Sequence, residues 1–363
     1  MTNLPNKPLI YDLDISHIGY SLASWSEPVY RASQIWNGLY VNLWNKPEQF
    51  TNLPLQLRNN LETYYSFSYL APEIERHSID RMTEKILFRL HDGEAVETVL
   101  MKYKTRAGKR ERNTVCISTQ VGCALGCIFC ATGQMGFRRN LSSGEMIEQV
   151  LHYARHLRNY DQQITNIVVM GMGEPFLNYD EVMRAINQLN NSDGFNFGAR
   201  RFTISTVGII PGIRRFTSEH RQINLAVSLH AADNALRDKL IPINGKYPIE
   251  ELLNACHDYV LETGRRITFE WALIEGVNDT TEQAHKLAQR LQLFRINSVT
   301  LCHVNVIQLN PTKQYDGTGT KTKQALIFQD IMERENIHCT VRTRRGIDIE
   351  AGCGQLVAEK TKI

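Results

Sequence analysis

Three of the eight cysteines, Cys123, Cys127 and Cys130, fall in one short segment with the spacing C-x3-C-x2-C. Three thiolates so close together can hold three corners of a cubane iron–sulfur cluster. The fourth iron then has no protein ligand and can take a substrate, as a catalytic zinc does at its open position. The competing chemistry is a zinc site with Cys116 as fourth ligand. Zinc knuckles usually pair two short C-x2-C spacings, and the x6–x3–x2 series here does not. Cys256, Cys302 and Cys339 lie in apolar patterns and read as buried structural residues. Cys353, in AGCGQL near the C-terminus, would read the same way on its own.

The elements that must position these residues begin at 113. Strand-like runs at 113–119, 164–171, 201–207, 223–229, 266–274 and 299–307 alternate with helical patterns, and a further helix and strand follow near 323–343. Alternation of this kind predicts parallel βα units, hence an α/β fold with an open sheet or partial barrel. Ser142 and Glu145 form a capping box for the first helix of the series. Reactive groups in such folds gather beyond the carboxyl ends of the strands. Cys123 follows the first strand, and the other strand ends offer Gly171-Met172-Gly173-Glu174, Ser205-Thr206, Ser228-Leu229-His230 and Asn310. The glycines allow close approach to the backbone. Glu174 can accept hydrogen bonds from an ammonium or hydroxyl group. Together these residues describe one pocket facing the cysteine loop.

The 363 residues carry 41 Lys+Arg against 38 Asp+Glu, with 42% hydrophobic content, which excludes disordered and fibrous classes. No secretory signal and no apolar run long enough for a membrane span is visible, so a cytoplasmic protein without structural disulfides is expected. Residues 1–90 read as a separate helical accessory domain, with 8 basic and 9 acidic side chains. Residues 91–112 read as a hairpin connector with a basic turn from Arg106 to Arg112. The core spans 113–310 and a C-terminal extension spans 311–363. Residues 101–150 hold 8 basic and 3 acidic side chains, and paired basics recur at Arg200-Arg201, Arg214-Arg215, Arg265-Arg266 and Arg344-Arg345. Pairs converging on one mouth would form a footprint for nucleic acid.

The cysteine loop, with Phe129 before its last cysteine, resembles that of the radical S-adenosylmethionine superfamily. CISTQVGCALGCIFCATG, GFRRNL, GMGEP, ISTVGIIPGI, SLHA, PINGKYPI, GVND, LNPT and AGCGQL resemble, more narrowly, the RlmN/Cfr family of RNA adenine methyltransferases. The resemblance runs from about residue 30 to 357, and GMGEP favours the RlmN branch. It implies a partial (β/α)6 barrel with a small helical N-terminal domain and a C-terminal extension. It also implies one [4Fe–4S] cluster on Cys123, Cys127 and Cys130. S-adenosylmethionine, used twice per turnover, would be bound by Gly173, Glu174, Ser205, Ser228, Leu229, His230 and Asn310.

By the same resemblance Cys353 accepts a methyl group, Cys116 resolves the covalent RNA adduct through a transient disulfide, and Glu97 accepts a proton. The implied product is 2-methyladenine, at position 2503 of 23S rRNA and position 37 of some tRNAs. The N-terminal domain and the hairpin would engage RNA, an external flavodoxin-type reductase system would supply electrons, and the chain would act as a monomer away from membranes. Methylation at C8, as in the Cfr branch, is the alternative within the class. A non-catalytic zinc RNA-binding module is the alternative outside it.

Overall fold

The alternating runs after residue 112 form strands because every second side chain is large and apolar, and the segments between them form amphipathic helices that cover those side chains. A computed structural model of the chain describes residues 7–103 and 111–357. The expected basic turn therefore lies outside the described residues except for Glu111 and Arg112. In chain order the strands are β1 (Leu70–His77), β2 (Thr83–Leu90), β3 (Ala95–Tyr103), β4 (Arg112–Cys116), β5 (Gln120–Gly122), β6 (Phe137–Asn140), β7 (Asn166–Val169), β8 (Phe202–Thr206), β9 (Asn224–Ser228), β10 (Ile267–Leu273), β11 (Arg295–Ile296), β12 (Val299–Thr300), β13 (Cys302–Gln308) and β14 (Cys339–Val341). The α-helices are α1 (Ile15–Ser24), α2 (Arg31–Tyr40), α3 (Leu55–Tyr64), α4 (Ala131–Gln134), α5 (Ser143–Arg158), α6 (Tyr179–Asn190), α7 (Ile210–Ser218), α8 (Asn234–Leu240), α9 (Ile249–Thr263), α10 (Thr281–Leu291) and α11 (Thr322–Arg334).

Ten strands make one sheet in the order β1-β2-β3-β4-β7-β8-β9-β10-β13-β14. From β4 onward every neighbouring pair is parallel, and spatial order follows chain order without reversal. A doubly wound sheet would reverse at a switch point; this one winds in one direction, as a barrel wall does. β1 to β4 extend the wall antiparallel at one edge. Among the described residues β1 and β14 do not pair, so the wall stays open as a partial barrel.

Burial identifies the two faces. Ile167, Val169, Phe202, Ile204, Ile267, Phe269, Trp271, Cys302, Val304 and Val306 are buried, each large one contributing about 1.5–3 kcal/mol. Their alternates Asn166, Val168, Thr203, Ser205, Thr268, Glu270, His303 and Asn305 are only half-buried and line a lumen. The capping box of α5 is present. Ser142 Oγ accepts from the Glu145 N–H at 3.2 Å, and Glu145 Oε2 accepts from the Ser142 N–H at 3.0 Å.

The helical domain expected over residues 1–90 is corrected in two ways. Its α-helices end at Tyr64, and residues 70–90 are strands β1 and β2. β1 is an edge strand with one buried residue followed by seven exposed ones, so it has no apolar alternation to read. Nor is the domain separate, because Ile35, Trp36 and Leu39 join a core cluster continuous with that of the barrel. Asp12 Oδ1 accepts from the Gly144 N–H at 2.6 Å, and Gln188 Nε2 donates to the Leu13 carbonyl at 2.8 Å. The expected connector is likewise β3 and the start of β4, turned at His91-Asp92-Gly93, and the extension from 311 contributes α11 and β14 to the wall.

Trp36→Ala removes a fully buried side chain from this shared core and should cost about 3–5 kcal/mol. Denaturant unfolding followed by far-UV circular dichroism should show one destabilised transition. A separate early transition for the N-terminal helices would refute the continuous core.

Candidate active site

The cysteine loop leaves the sheet just after β4. β5 and β6 pair antiparallel and hold its two ends together. Gly122 has φ +73°, and a Cβ there would collide with the Gly136 carbonyl, so the loop can close only over glycine. The Cys123 N–H donates to the Gly136 carbonyl and the Cys130 N–H to the Cys127 carbonyl, both at 3.1 Å. The Ile128 N–H donates to the Leu240 carbonyl at the end of α8, which ties the loop to the barrel.

Cys123, Cys127 and Cys130 line one cavity together with Gly173, Glu174, Ser205, Ser228, His230, Asn310 and Cys353. Burial pushes the Cys123 thiol up to about 12, and negative charge on Cys130 would push it further. Burial also holds Cys127 well above the usual thiol range, with Cys130 and Cys123 adding to the effect. Such thiols ionise together only when a cation replaces their protons. Cys116 does not line this cavity. It is buried on β4, and the charge that raises it, after burial has pushed it to about 12, is that of Cys353. The five cysteines thus divide into a triad and a pair, and the fourth-ligand role of a zinc site finds no support at Cys116.

The residues expected to hold S-adenosylmethionine mostly converge. Gly173 has φ +102°, and a Cβ would stand 2.6 Å from Gln120 Cβ. Glu174 is raised to about 7 by burial, although its oxygens accept from the N–H groups of Phe176 (3.0 Å) and Val207 (2.8 Å). Its carboxylate thereby fastens the turn after β7 to the turn after β8. Ser205 and Ser228 hydroxyls meet at 3.4 Å. His230, with φ +57°, accepts at Nδ1 from the Ala272 N–H at 2.9 Å, and burial lowers it to about 3, so it is neutral. The Phe129 ring packs edge-on against it. Asn310 donates to the Cys353 carbonyl at 3.0 Å, but its Oδ1 is buried with no hydrogen-bond partner. A buried acceptor facing this cavity fits a ligand that brings an N–H or O–H donor. The triad of thiols and this orphaned oxygen are the observations on which the cluster and S-adenosylmethionine fit the site.

Two further expected site residues, besides Cys116, lie elsewhere. Leu229 is buried and does not face the cavity; its N–H donates to the Glu270 carbonyl and its carbonyl accepts from Arg237. Glu97 is also buried away from the cavity. Its Oε1 pairs with Lys85 Nζ at 2.9 Å, and its Oε2 accepts from the Val357 N–H at 3.0 Å.

Sequence reading missed Arg237, Glu270 and Arg342. Arg237 is fully buried and donates to the carbonyls of Leu229, Val207 and Ser228 and to Asn244 Oδ1. Its positive charge also draws down Cys127. The Arg342 guanidinium lies 3.4 Å from Glu270 and favours the thiolates of Cys353 and Cys116. Period-2 patterning marks Glu270 and Arg342 as lumen-facing, but nothing in the sequence pairs them. The accessible surface of Cys353 opens into the cavity, where surrounding protein still raises its thiol above the usual range.

Glu97→Gln keeps a partner for Val357 but strips Lys85 of its counterion, a loss of about 3–5 kcal/mol for a buried pair. Faster amide exchange across residues 350–357 and faster alkylation of Cys353 should follow. Unchanged exchange there would show that Glu97 does not anchor the segment. In the unaltered protein, Cys353 alkylation should keep rising through pH 9, because the raised thiol ionises late.

The model of the radical SAM superfamily matches residues 117–288. The chain is 45% identical over 352 residues to a probable dual-specificity RNA methyltransferase RlmN of Chloroflexus aurantiacus, covering 96% of this chain and 92% of that one. It is 46% identical over 349 residues to dual-specificity RNA methyltransferase RlmN 1 of Myxococcus xanthus, covering 96% and 94%. A crystal structure of a radical SAM methyltransferase from Sphaerobacter thermophilus superposes with a TM-score of 0.92 at 47% identity, covering 97% of this chain and all of that one. Near-full-length identity of this size, together with the thiol triad, establishes that the chain belongs to the RlmN family of radical SAM RNA methyltransferases.

Proposed function

We propose that the enzyme methylates carbon 2 of an adenine in RNA, at adenine 2503 of 23S rRNA and adenine 37 of tRNAs; its relatives' names, dual-specificity RNA methyltransferases, support an RNA substrate. The observation that carries this reading is that Cys123, Cys127 and Cys130 share one cavity with Cys353, while Cys116, the partner proposed for Cys353, is buried outside it. Adenine C2 is electrophilic, so a sulfonium methyl group has no nucleophile there to receive it. A thiolate can receive it instead, and Cys353 is the cysteine of the pair whose surface opens to the cavity.

In the proposed sequence the Cys353 thiolate, favoured by the Arg342 charge beside it, attacks the methyl carbon of one S-adenosylmethionine and releases S-adenosylhomocysteine. When bound, one [4Fe–4S] cluster per chain and a second S-adenosylmethionine supply the one-electron chemistry that removes a hydrogen atom from this S-methyl group. The methylene carbon bonds to the base and joins Cys353 to the RNA. The adduct then gives up its unpaired electron to the external one-electron redox couple and its C2 proton to a base. The Cys116 thiolate attacks the Cys353 sulfur, the sulfur–carbon electron pair leaves on the methylene carbon, and that carbon takes a proton, leaving a disulfide and the methylated base. An external reductant returns both thiols. Glu97 is the proposed proton acceptor, raised by burial; to act it must first release Val357. A flavodoxin-type donor, a monomeric state and a cytoplasmic location complete the reading. No helix among the described residues is long and apolar enough to cross a membrane.

Anaerobically prepared protein should be brown with about four irons per chain, whereas a colourless protein with stoichiometric zinc would defeat the reading. Cys353 should carry one extra methylene by intact mass. Cys116→Ala should accumulate a covalent RNA adduct that the unaltered enzyme resolves; turnover without an adduct would remove Cys116 from the sequence. Nucleoside mass spectrometry against 2-methyl- and 8-methyladenosine standards decides the regiochemistry, and 8-methyladenosine would place the enzyme with the Cfr branch.

A further inference from the structure

The amino ends of the barrel strands form a second cavity of about 970 Å³. Arg112, Arg200, Arg265 and Arg266 rim it, and Asn166, Thr203, Asn224, Thr268, Asn305 and Thr340 form its walls. In a closed barrel these inward positions would hold packed Val, Ile and Leu. Here most of them are small and polar, so the lumen holds a cavity in place of a packed core. Met170, Glu270 and Arg342 line both this cavity and the cluster cavity, so the two meet at that level. Cys116 lies in register with Val168 of the cavity wall and therefore faces the lumen between the two ends.

The rim arginines differ from several others in how they are partnered. Elsewhere Arg215 pairs with Asp180 and Glu219, Arg221 with Glu219, and Arg290 with Glu250. Among the described residues none of the four rim arginines makes an ion pair. Arg200 and Arg265 instead converge on one neutral oxygen, Gln222 Oε1, at 3.1 and 3.2 Å. Two guanidinium groups sharing one amide oxygen repel each other until an anion joins them. Guanidinium forks match phosphate oxygens, and a polar cavity behind the phosphates suits a base swung out of its stack.

We propose that RNA docks on the amino ends of the barrel strands, with Arg112, Arg200, Arg265 and Arg266 on its phosphates, and that the target base rises through the lumen past Glu270 and Arg342 to Cys353. The proposal rests on the reading of the chain as an RNA methyltransferase. The paired basics at Arg214-Arg215 lie outside this mouth, and Arg215 is already neutralised by its carboxylates.

The test is the affinity of the cluster-loaded enzyme for a short RNA hairpin with adenines in its loop, measured by fluorescence anisotropy across a salt series. R200A/R265A should weaken binding about tenfold or more and lower the slope of log affinity against log salt by about 0.7 per arginine lost. Q222E, nearly isosteric, sets a carboxylate between the same arginines and should weaken binding too, while a fold defect would not be expected from it. R200K/R265K should restore most of the slope, and R214A/R215A should change neither quantity. Unaltered affinity in both R200A/R265A and Q222E overturns the proposal. So does intact RNA affinity with lost reduction by a flavodoxin-type donor, which would make the mouth a protein-docking site. An unaltered enzyme that binds the hairpin through these arginines but methylates no RNA would overturn the functional reading alone.

Discussion

The fold depends on one asymmetry: hydrophobic burial occurs on the outer face of the barrel wall and is withheld from the inner face. Phe202, Ile204, Phe269, Trp271, Val304 and Val306 pack outward under helices and are fully buried. At roughly 1.5–3 kcal/mol each, they offset the ordering of strands whose other face gains little. Thr203, Ser205, Thr268, Glu270 and Asn305 can then remain half-exposed on the inside. A closed barrel gains stability from both faces but has no room in its interior. An open wall loses that inner core, and what it keeps is a tube in which charged groups and a ligand can sit.

The same desolvation governs the cysteines. Burial keeps Cys116 protonated at neutral pH, with its thiol pushed to about 12, and raises Cys353 as well. Negative charge on Cys353 disfavours the Cys116 thiolate, while the Arg342 cation favours both. Such a pair ionises one member at a time, which suits the roles proposed for it, taken in succession: methylation of one sulfur, then attack by the other. Two simultaneous thiolates would invite oxidation to a disulfide before any methyl group arrived.

Most of what positions the site is legible in the sequence because it repeats. Parallel strands buried on one face alternate large and small residues, and their carboxyl ends carry the glycines, serines and Glu174 that line the cavity. The resemblance supplies roles that no pattern could, such as those of Cys116 and Cys353. What escapes is whatever depends on distant parts of the chain meeting. β1 reads poorly because an exposed edge strand has no buried face. Glu97 gives no sign of its partners, Lys85 across the hairpin and Val357 at the far end of the chain. Leu229 falls at a motif position, yet its backbone is already engaged by Glu270 and Arg237. The paired basics were equally ambiguous as sequence, since pairing along the chain says nothing about which arginines face carboxylates.

The segment carrying Cys353 belongs structurally to the cluster loop rather than to the chain end. The Ala131 N–H donates to the Gly354 carbonyl at 2.8 Å, and Thr132 Oγ1 donates to the Leu356 carbonyl at 2.7 Å. Both donors lie within two residues of Cys130. Asn310 holds the Cys353 carbonyl from the end of β13, and a Cβ on Gly352 would collide with that amide. Order in the cysteine loop therefore fixes Cys353, and disorder in the loop releases it. With the cluster thiols at the carboxyl ends of the strands and the unpaired arginines at the amino ends, Cys353 and Cys116 stand between them. On the proposed docking, electrons and base reach the sulfur from opposite directions without sharing a path.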